Sequence, residues 1–582
     1  MGRFNLLDEP WISVLVERTG EKKDVSLLDF FQYASEYRSL AGEMETQNFA
    51  VMRFLLSIVQ TVFSRFNYDG DVLPGIEIND RWQQTDPIDT DEDDEFCDAV
   101  SDCWNELYQS GNFPAIVCEY LEKWRDQFYL FDAKHPFFQV TQDEMTDIMS
   151  RIPKKNQPTS IYGKNLNRTI SESENKTALF SPIANADKGK RGRKDILSEA
   201  ELARWLLTFQ GYSGLADKVS LTTADQRPSK GWLFDIGGIF LQGRSIFETL
   251  VMNYFPESPT DNEDLCGRIQ KPCWEYSGGE VVNRLCMESP IDNLSELYTN
   301  WSRAIYIDPN ANIAEPLSLL IVKIPEIDHS DNSIEPMTLW RKNDSGSKTS
   351  QYILKKHTAD QSLWRSFGII AMRTTEDGEY NKQPGIFKQY ERLNHISSDN
   401  RWTDLVGISM KDDGNATSWL PTDEIYDSFQ INDLVISDSD PNGWVLRIND
   451  AVETTKDVIS KIFRGYLRGI CEIRSLDLKN DSIAIGFIEK ETTEMYAIID
   501  PAFKEWLSKI QPTDSKETRI FEWKEQLKKL VLRRGESLFE NSTVKDLVGI
   551  EKDSHVENIA TKYWQFVNRI YKTLGKGGTL EH

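Results

Sequence analysis

The residues with most chemistry to offer lie between Phe180 and Lys218. Five cations, Lys188, Lys190, Arg191, Arg193 and Lys194, fall within seven positions of a soft loop that follows Phe180. A helix start comes next: Ser198 stands three residues ahead of Glu201 as a capping box, with Leu197 and Leu202 placed as a hydrophobic staple. Leu202, Ala203, Leu206 and Leu207 then fall on one apolar face before the chain turns at Gly211-Tyr-Ser-Gly-Leu-Ala-Asp-Lys218. A basic loop and a glycine turn on either side of a helix can offer positive charge and backbone N–H groups to a phosphate chain. The plainer reading is a solvated basic surface and a glycine cap. Both readings stand at this point.

Other candidate constellations are weaker. Asp89, Asp91, Glu92, Asp93, Asp94 and Glu95 could gather a metal, but no Gly or His interleaves them, and acids are favoured in a first helical turn. Cys266, Cys273 and Cys286 are spaced too widely, without a near fourth ligand, for a structural zinc site. His135, ahead of Pro136, has no histidine neighbour and reads as a loop residue. The sequence carries no GxSxG, Walker or HExxH pattern, so no catalytic residue, metal or cofactor is assigned. A binding protein is expected rather than an enzyme.

A chain of 582 residues with 16 Trp can bury a large core and form two or more domains. Its net charge of -26 argues against wrapping nucleic acid over its whole surface, while leaving room for one basic patch or for docking on a basic partner. The longest apolar run, Phe49 to Phe63, is interrupted by Arg53, Ser57 and Gln60, too polar for a membrane span. Seven Cys without a CxxC pair, and no signal sequence ahead of Phe4, suggest a reduced, cytoplasmic protein.

The elements that must carry these residues follow from periodicity. Val14 and Leu15 belong to a first strand, residues 47–66 to an all-round apolar core helix, and residues 116–131 to an aromatic-rich helix. Gly231–Leu241 reads as strand and turn, and Ile305–Ile307 and Ser318–Ile324 as short strands. Asp404–Thr417 reads as a strand entering a turn at Asp413-Gly414. A polar linker at 436–448 leads to four helical segments: Val452–Ile473, a stretch around Ile483–Ile510 broken at Pro501, one capped by Asp514 and Glu517, and a last one through Leu574 that ends at Gly575. The expected fold is α+β: a large mixed domain over 1–435, a four-helix bundle over 449–579, and a tag remnant at 580–582.

The opening FNLLDEPWI and the segment LFDAKHPFFQ resemble the CasA-type large subunit of type I-E Cascade, the RNA-guided CRISPR surveillance complex. The likeness continues in order through Phe180, the Ser198–Gln210 helix, Phe240–Leu250, Trp301-Ser-Arg303 and Glu335–Trp340. The resemblance implies a non-catalytic subunit that reads the protospacer-adjacent motif of target double-stranded DNA from the minor groove and promotes opening. Implied partners are the backbone, small and 5′-handle-binding subunits, CRISPR RNA and the helicase-nuclease, with no membrane.

By the same resemblance, the DNA-facing glycine loop is Gly211, Tyr212, Ser213, Gly214 and Leu215, assisted by Lys218. Arg303 is the minor-groove cation, and Gly414, Asn415 and Ala416 form the wedge tip. Phe180 with Lys188, Lys190, Arg191, Arg193 and Lys194 forms the docking segment for guide RNA and complex. Two rival readings remain: an architectural adaptor that never touches DNA, and a metal-dependent nuclease acting through residues 89–95.

Overall fold

The structure, a computed structural model, describes residues 2–88, 94–153, 157–166, 196–256, 267–327, 334–343, 352–373, 382–396, 401–415, 419–552 and 555–575. Helix and sheet are mixed, as expected for an α+β chain. The basic segment from Phe180 to Lys194, the acidic residues 89–93, Cys266, Ala416 and residues 580–582 lie outside the described residues. Two compact units emerge. The first comprises Met1–Ala359, Pro384–Ile396 and Val406–Asp427; the second comprises Asp360–Gln383, Ser397–Leu405 and Ser428–His582.

The first unit is built on the helix Glu45–Val62, which is buried on nearly every face. An all-round apolar sequence leaves a helix no stable place except the interior. Its one cation, Arg53, is neutralised inside by a two-pronged pair with Glu335 at 2.7 and 2.8 Å, and the Trp232 indole donates to the same carboxylate at 2.6 Å. Burial opposes the charge on Arg53, but the adjacent Glu335 outweighs it and raises the guanidinium pKa. Helices pack on it, among them Glu199–Tyr212 and Leu294–Tyr298, and the unit also holds small sheets. Ile12–Val16 runs between Lys22–Val25 and Tyr37–Leu40. Ser318–Lys323 runs between Thr159–Tyr162 and Arg303–Tyr306. A third sheet orders Pro421–Asn432, Trp402–Asp412 and Gly238–Gln242.

Two expectations for this unit need correction. The helix predicted over 116–131 stops at Lys123, and the chain re-enters as the strand Tyr129–Phe131, paired with Arg3–Asn5. The segment after Gly231 begins with a short helix, Trp232–Asp235, before the strand Gly238–Gln242. Periodicity cannot separate helix from strand in short apolar runs such as these; tertiary pairing decides.

The second unit contains four long helical segments. The first starts at Trp444, ahead of the predicted Val452, and continues through a π turn, Val458–Phe463, to Ile473. The others are Ser482–Ser508, Lys516–Glu540 and Ile559–Leu574. The expected break at Pro501 does not occur. The helix runs through it because Ile499, Phe503 and Trp506 on the same stretch are buried, and their packing outweighs one lost backbone bond. The cap of the third helix is Ser515, whose hydroxyl accepts from the Thr518 N–H; Asp514 instead accepts from Gln511 and Arg519. Residues 360–383 join this unit rather than the mixed domain. Trp364 stacks on Phe503 with centroids 4.1 Å apart, and Phe503 meets Trp523 edge-on at 4.8 Å.

Candidate nucleic-acid interface

The helix Glu199–Tyr212 carries the predicted glycine turn. Its start is as read from sequence: Ser198 accepts from the Glu201 N–H at 3.2 Å, and the Glu201 carboxylate accepts from the Ser198 N–H at 2.8 Å. Arg204 is held in the interior by the Glu43 carboxylate and by the Trp11 carbonyl at 2.6 Å. The helix ends later than the glycine suggests. Gly211 and Tyr212 belong to its last turn and are buried. The reason Gly211 lacks a side chain is internal: a Cβ there would sit 2.8 Å from Leu233. Gly231 packs still closer, its position leaving only 2.1 Å between a Cβ and the Gly211 carbonyl oxygen. Gly211 thus makes room for the Leu233 side chain and Gly231 for the Gly211 backbone, both within the interior.

The exposed part of the stretch begins at Gly214. Gly214 and Leu215 are half-buried, and Ala216 and Lys218 are exposed. Ser213 is buried, its hydroxyl 2.8 Å from that of Ser302.

Beneath this loop lies Arg303, fully buried at 0% exposure. The expectation of a groove-facing cation is therefore corrected in geometry: the guanidinium is enclosed. It donates to the Ser229 carbonyl at 2.7 Å, the Ser302 carbonyl at 2.9 Å, the Gly214 carbonyl and the Asp217 carboxylate at 2.9 Å. Burial lowers its pKa from the usual arginine value, and Asp217 opposes that shift. Lys323, a residue only 7% exposed, donates from its ammonium to the Leu215 carbonyl at 3.2 Å. Burial lowers its pKa as well, again against the pull of Asp217.

The two cations thus turn consecutive carbonyls, those of Gly214 and Leu215, toward the interior. In a planar trans peptide the N–H points opposite to the C=O of the same unit. The N–H groups of Leu215 and Ala216 are therefore directed away from the cations, and among the described residues neither finds an acceptor. Two N–H groups directed away from the interior cations, close in sequence to an exposed lysine, can donate to an anionic oxygen or a groove-edge acceptor.

Gln210 locks the support to the loop. Its side-chain oxygen accepts from the Ser302 and Arg303 N–H groups at 2.8 and 3.0 Å, and its amide donates to the Arg303 carbonyl at 3.0 Å. The segment 229–231 ties in the remaining piece. The Gly231 N–H donates to the Ser213 carbonyl at 2.9 Å, and the Lys230 ammonium lies 5.1 Å from the centroid of the Trp419 ring. Trp419 belongs to the hairpin turn between Trp402–Asp412 and Pro421–Asn432, and its N–H donates to the Asn415 carbonyl at 2.8 Å. Gly414 is exposed with φ +69°, in open space. The structure therefore links the 213–218 loop, Arg303 and the hairpin tip through one three-residue connector.

Sequence reasoning missed Gln210, Asp217, Ser229, Lys230, Gly231 and Lys323. Only Lys323 left a trace, as a cation closing an otherwise apolar strand. Among the described residues, no group of three or more His, Cys, Asp or Glu side chains could hold a metal ion, and no helix is long and apolar enough to cross a membrane.

Comparisons with known proteins converge. A family model described as CRISPR-associated protein Cse1 matches residues 5–534. A CasA/Cse1 protein of Thermus thermophilus is 24% identical over 386 residues, a match spanning 64% of this chain and 61% of that relative's length. Cse1 of Thermobifida fusca shares the fold at a TM-score of 0.73 and 20% identity, covering 98% of each chain. Cse1 from Acidimicrobium ferrooxidans does so at 0.72 and 18% identity, covering 99% of each. A chain of a CRISPR RNA-guided surveillance complex superposes at 0.65 with 13% identity, over 99% of this chain and 100% of that one.

Proposed function

This chain belongs to the CRISPR-associated Cse1 (CasA) family, and from that premise we propose that it is the non-catalytic large subunit of a type I-E Cascade complex, reading the protospacer-adjacent motif of target DNA from the minor groove. Its partners are the backbone, small and 5′-handle-binding subunits, CRISPR RNA, target double-stranded DNA and the helicase-nuclease. In such a complex the guide RNA reads most of the sequence by pairing, and the protein reads only a short duplex motif.

The observation that carries this reading is the supported loop: buried Arg303 and Lys323 hold two carbonyls inward, while the Leu215 and Ala216 N–H groups and Lys218 face out. The minor groove is narrow and presents acceptors and negative potential, which suits outward N–H groups and a lysine on a slim backbone. The contact set is accordingly Gly214, Leu215, Ala216 and Lys218, with Gly414 and Asn415 at the opening end. Arg303 acts behind the surface as a positioning residue. An inserted tip can unstack a base step and start strand separation.

The test is reconstitution with partner subunits and guide RNA, followed by binding to duplexes that differ only in the flanking trinucleotide. Lys218→Glu is expected to weaken binding to motif-bearing duplex about tenfold or more, since it reverses a charge at the phosphate-rich surface, and to weaken a pre-opened target less. Unchanged binding to the motif-bearing duplex would overturn the reading and favour an adaptor that docks without touching DNA.

A further inference from the structure

Trp419 is an unusual residue for its place. Its φ of 43° lies in the left-handed region, where a bulky side chain is rarely found and where backbone strain needs support from its surroundings. Two contacts supply that support. The Trp419 N–H is held by the Asn415 carbonyl at 2.8 Å, and its ring is held by the Lys230 ammonium, 5.1 Å from the centroid.

Lys230 is itself fixed. It pairs with the Asp235 carboxylate at 2.6 Å, and its side chain is only 18% exposed. Its two chain neighbours grip the reading loop: the Ser229 carbonyl accepts from Arg303, and the Gly231 N–H donates to the Ser213 carbonyl. One short connector therefore holds the loop with its backbone and the hairpin with its side chain. A displacement of either is transmitted to the other, because closely packed elements have little slack.

We propose that Lys230 is a positioning residue whose contact with the Trp419 ring latches the hairpin tip to the 213–218 loop, so that seating the loop on its motif sets the tip against the adjacent base step. The latch rests on the motif-reading assignment above and extends it from binding to opening. Neither residue needs to touch DNA for this role. What Lys230 supplies is register between the two elements that do.

The experiment uses the reconstituted complex with guide RNA. Kd is measured for a closed motif-bearing duplex and for the same target with a pre-opened bubble, and opening is followed by a fluorescent base analogue beside the motif. Lys230→Met keeps the stem and removes the charge. It is expected to raise the closed-to-bubble ratio of Kd about tenfold, the upper range of a partly desolvated cation–aromatic contact, with a matching loss of base-analogue signal. Lys230→Arg should restore both readouts. Trp419→Leu should reproduce Lys230→Met, and the double variant should be no worse than either alone, as for residues acting through one contact.

Equal losses on both substrates, additive losses in the double variant, or failure of the arginine rescue would overturn the latch. Thermal melting of each variant complex runs alongside. If a single variant melts early, the closed-to-bubble ratio at a temperature below every melting transition decides, because a merely destabilised hairpin then binds both substrates as the parent does. Lys218→Glu in the same series separates the two failures. Motif binding insensitive to Lys218→Glu removes the reading assignment, whereas sensitivity there with no change of ratio in Lys230→Met removes only the latch.

Discussion

The side-chain amide of Gln210 pairs with both backbone polar groups of Arg303, accepting from its N–H and donating to its carbonyl, each at 3.0 Å. A glutamine so placed acts as one rung of a β-ladder and fastens the end of the helix Glu199–Tyr212 to the strand Arg303–Tyr306. The guanidinium carried by that strand then reaches under the loop that follows the helix.

Removing that guanidinium should therefore damage the fold before it touches binding. Arg303→Ala leaves Asp217 and the carbonyls of Gly214 and Ser229 without their buried donor. The expected cost is roughly 3–5 kcal/mol, as for breaking a buried ion pair from one side, read by denaturant unfolding of the isolated chain. Lys218→Glu, on the exposed face, should stay within about 0.5 kcal/mol of the parent in the same measurement. A comparable loss in both would mean that Arg303 does not have the supporting role assigned to it.

Gly231→Ala is a sharper probe of the connector. The added Cβ would stand 2.1 Å from the Gly211 carbonyl oxygen, an obstacle of backbone on both sides that no side-chain rotation relieves. Overpacking of this kind costs about 1–3 kcal/mol, sometimes more. Thermal melting should show it, together with accelerated hydrogen exchange at the Gly231 amide, whose bond to the Ser213 carbonyl must lengthen.

His357 gives the first unit an acid-sensitive term. Its Nε2 donates to the Gly238 carbonyl at 2.7 Å, and burial lowers its pKa from 6.5 to about 4. The unfolded chain takes up the proton first as pH falls. The contribution is thus complete above about pH 6.5 and is lost between there and pH 4. Its size is at most about 3 kcal/mol, from 1.4 kcal/mol for each pH unit separating the two states. His357→Gln should flatten the stability–pH curve in that window, measured by urea unfolding at pH 7, 6, 5 and 4.

Pro501 offers a stabilising change. Its ring nitrogen cannot donate to the Ala497 carbonyl in the middle of the helix Ser482–Ser508. Pro501→Ala restores that bond. The gain should be up to about 3 kcal/mol by helix propensity, reduced by roughly 1 kcal/mol for the freer unfolded chain. A rise in melting temperature of the second unit is the expected result, and a fall would mean that the proline ring makes packing contacts worth more than the bond.

Much of the architecture was legible because it is local. The Ser198–Glu201 box, the buried helix through Phe54, the strand at Ile305 and the stripe through Phe566 each depend on residues a few positions apart. What escaped depends on distance along the chain. Arg303 reaches Gly214 across 89 residues and Ser229 across 74, and no spacing in the sequence announces that encounter. The sequence therefore marked Arg303 as a cation worth watching but could not tell a surface contact from a buried brace. Gly211 misled for a related reason: a glycine near a helix end has the same letter whether it serves a turn or the close approach of Leu233 and Gly231.

The loop at 214–218 is anchored from outside by Arg303 and Lys323 and from within by Asp217, and this has a consequence for variation. Among the described residues no side-chain hydrogen bond or ion pair at 215, 216 or 218 holds that shape, so those positions can be varied while the scaffold below stays cast. A search for complexes with altered preference for the flanking trinucleotide should diversify those three sites and leave Gln210, Arg303 and Lys323 untouched.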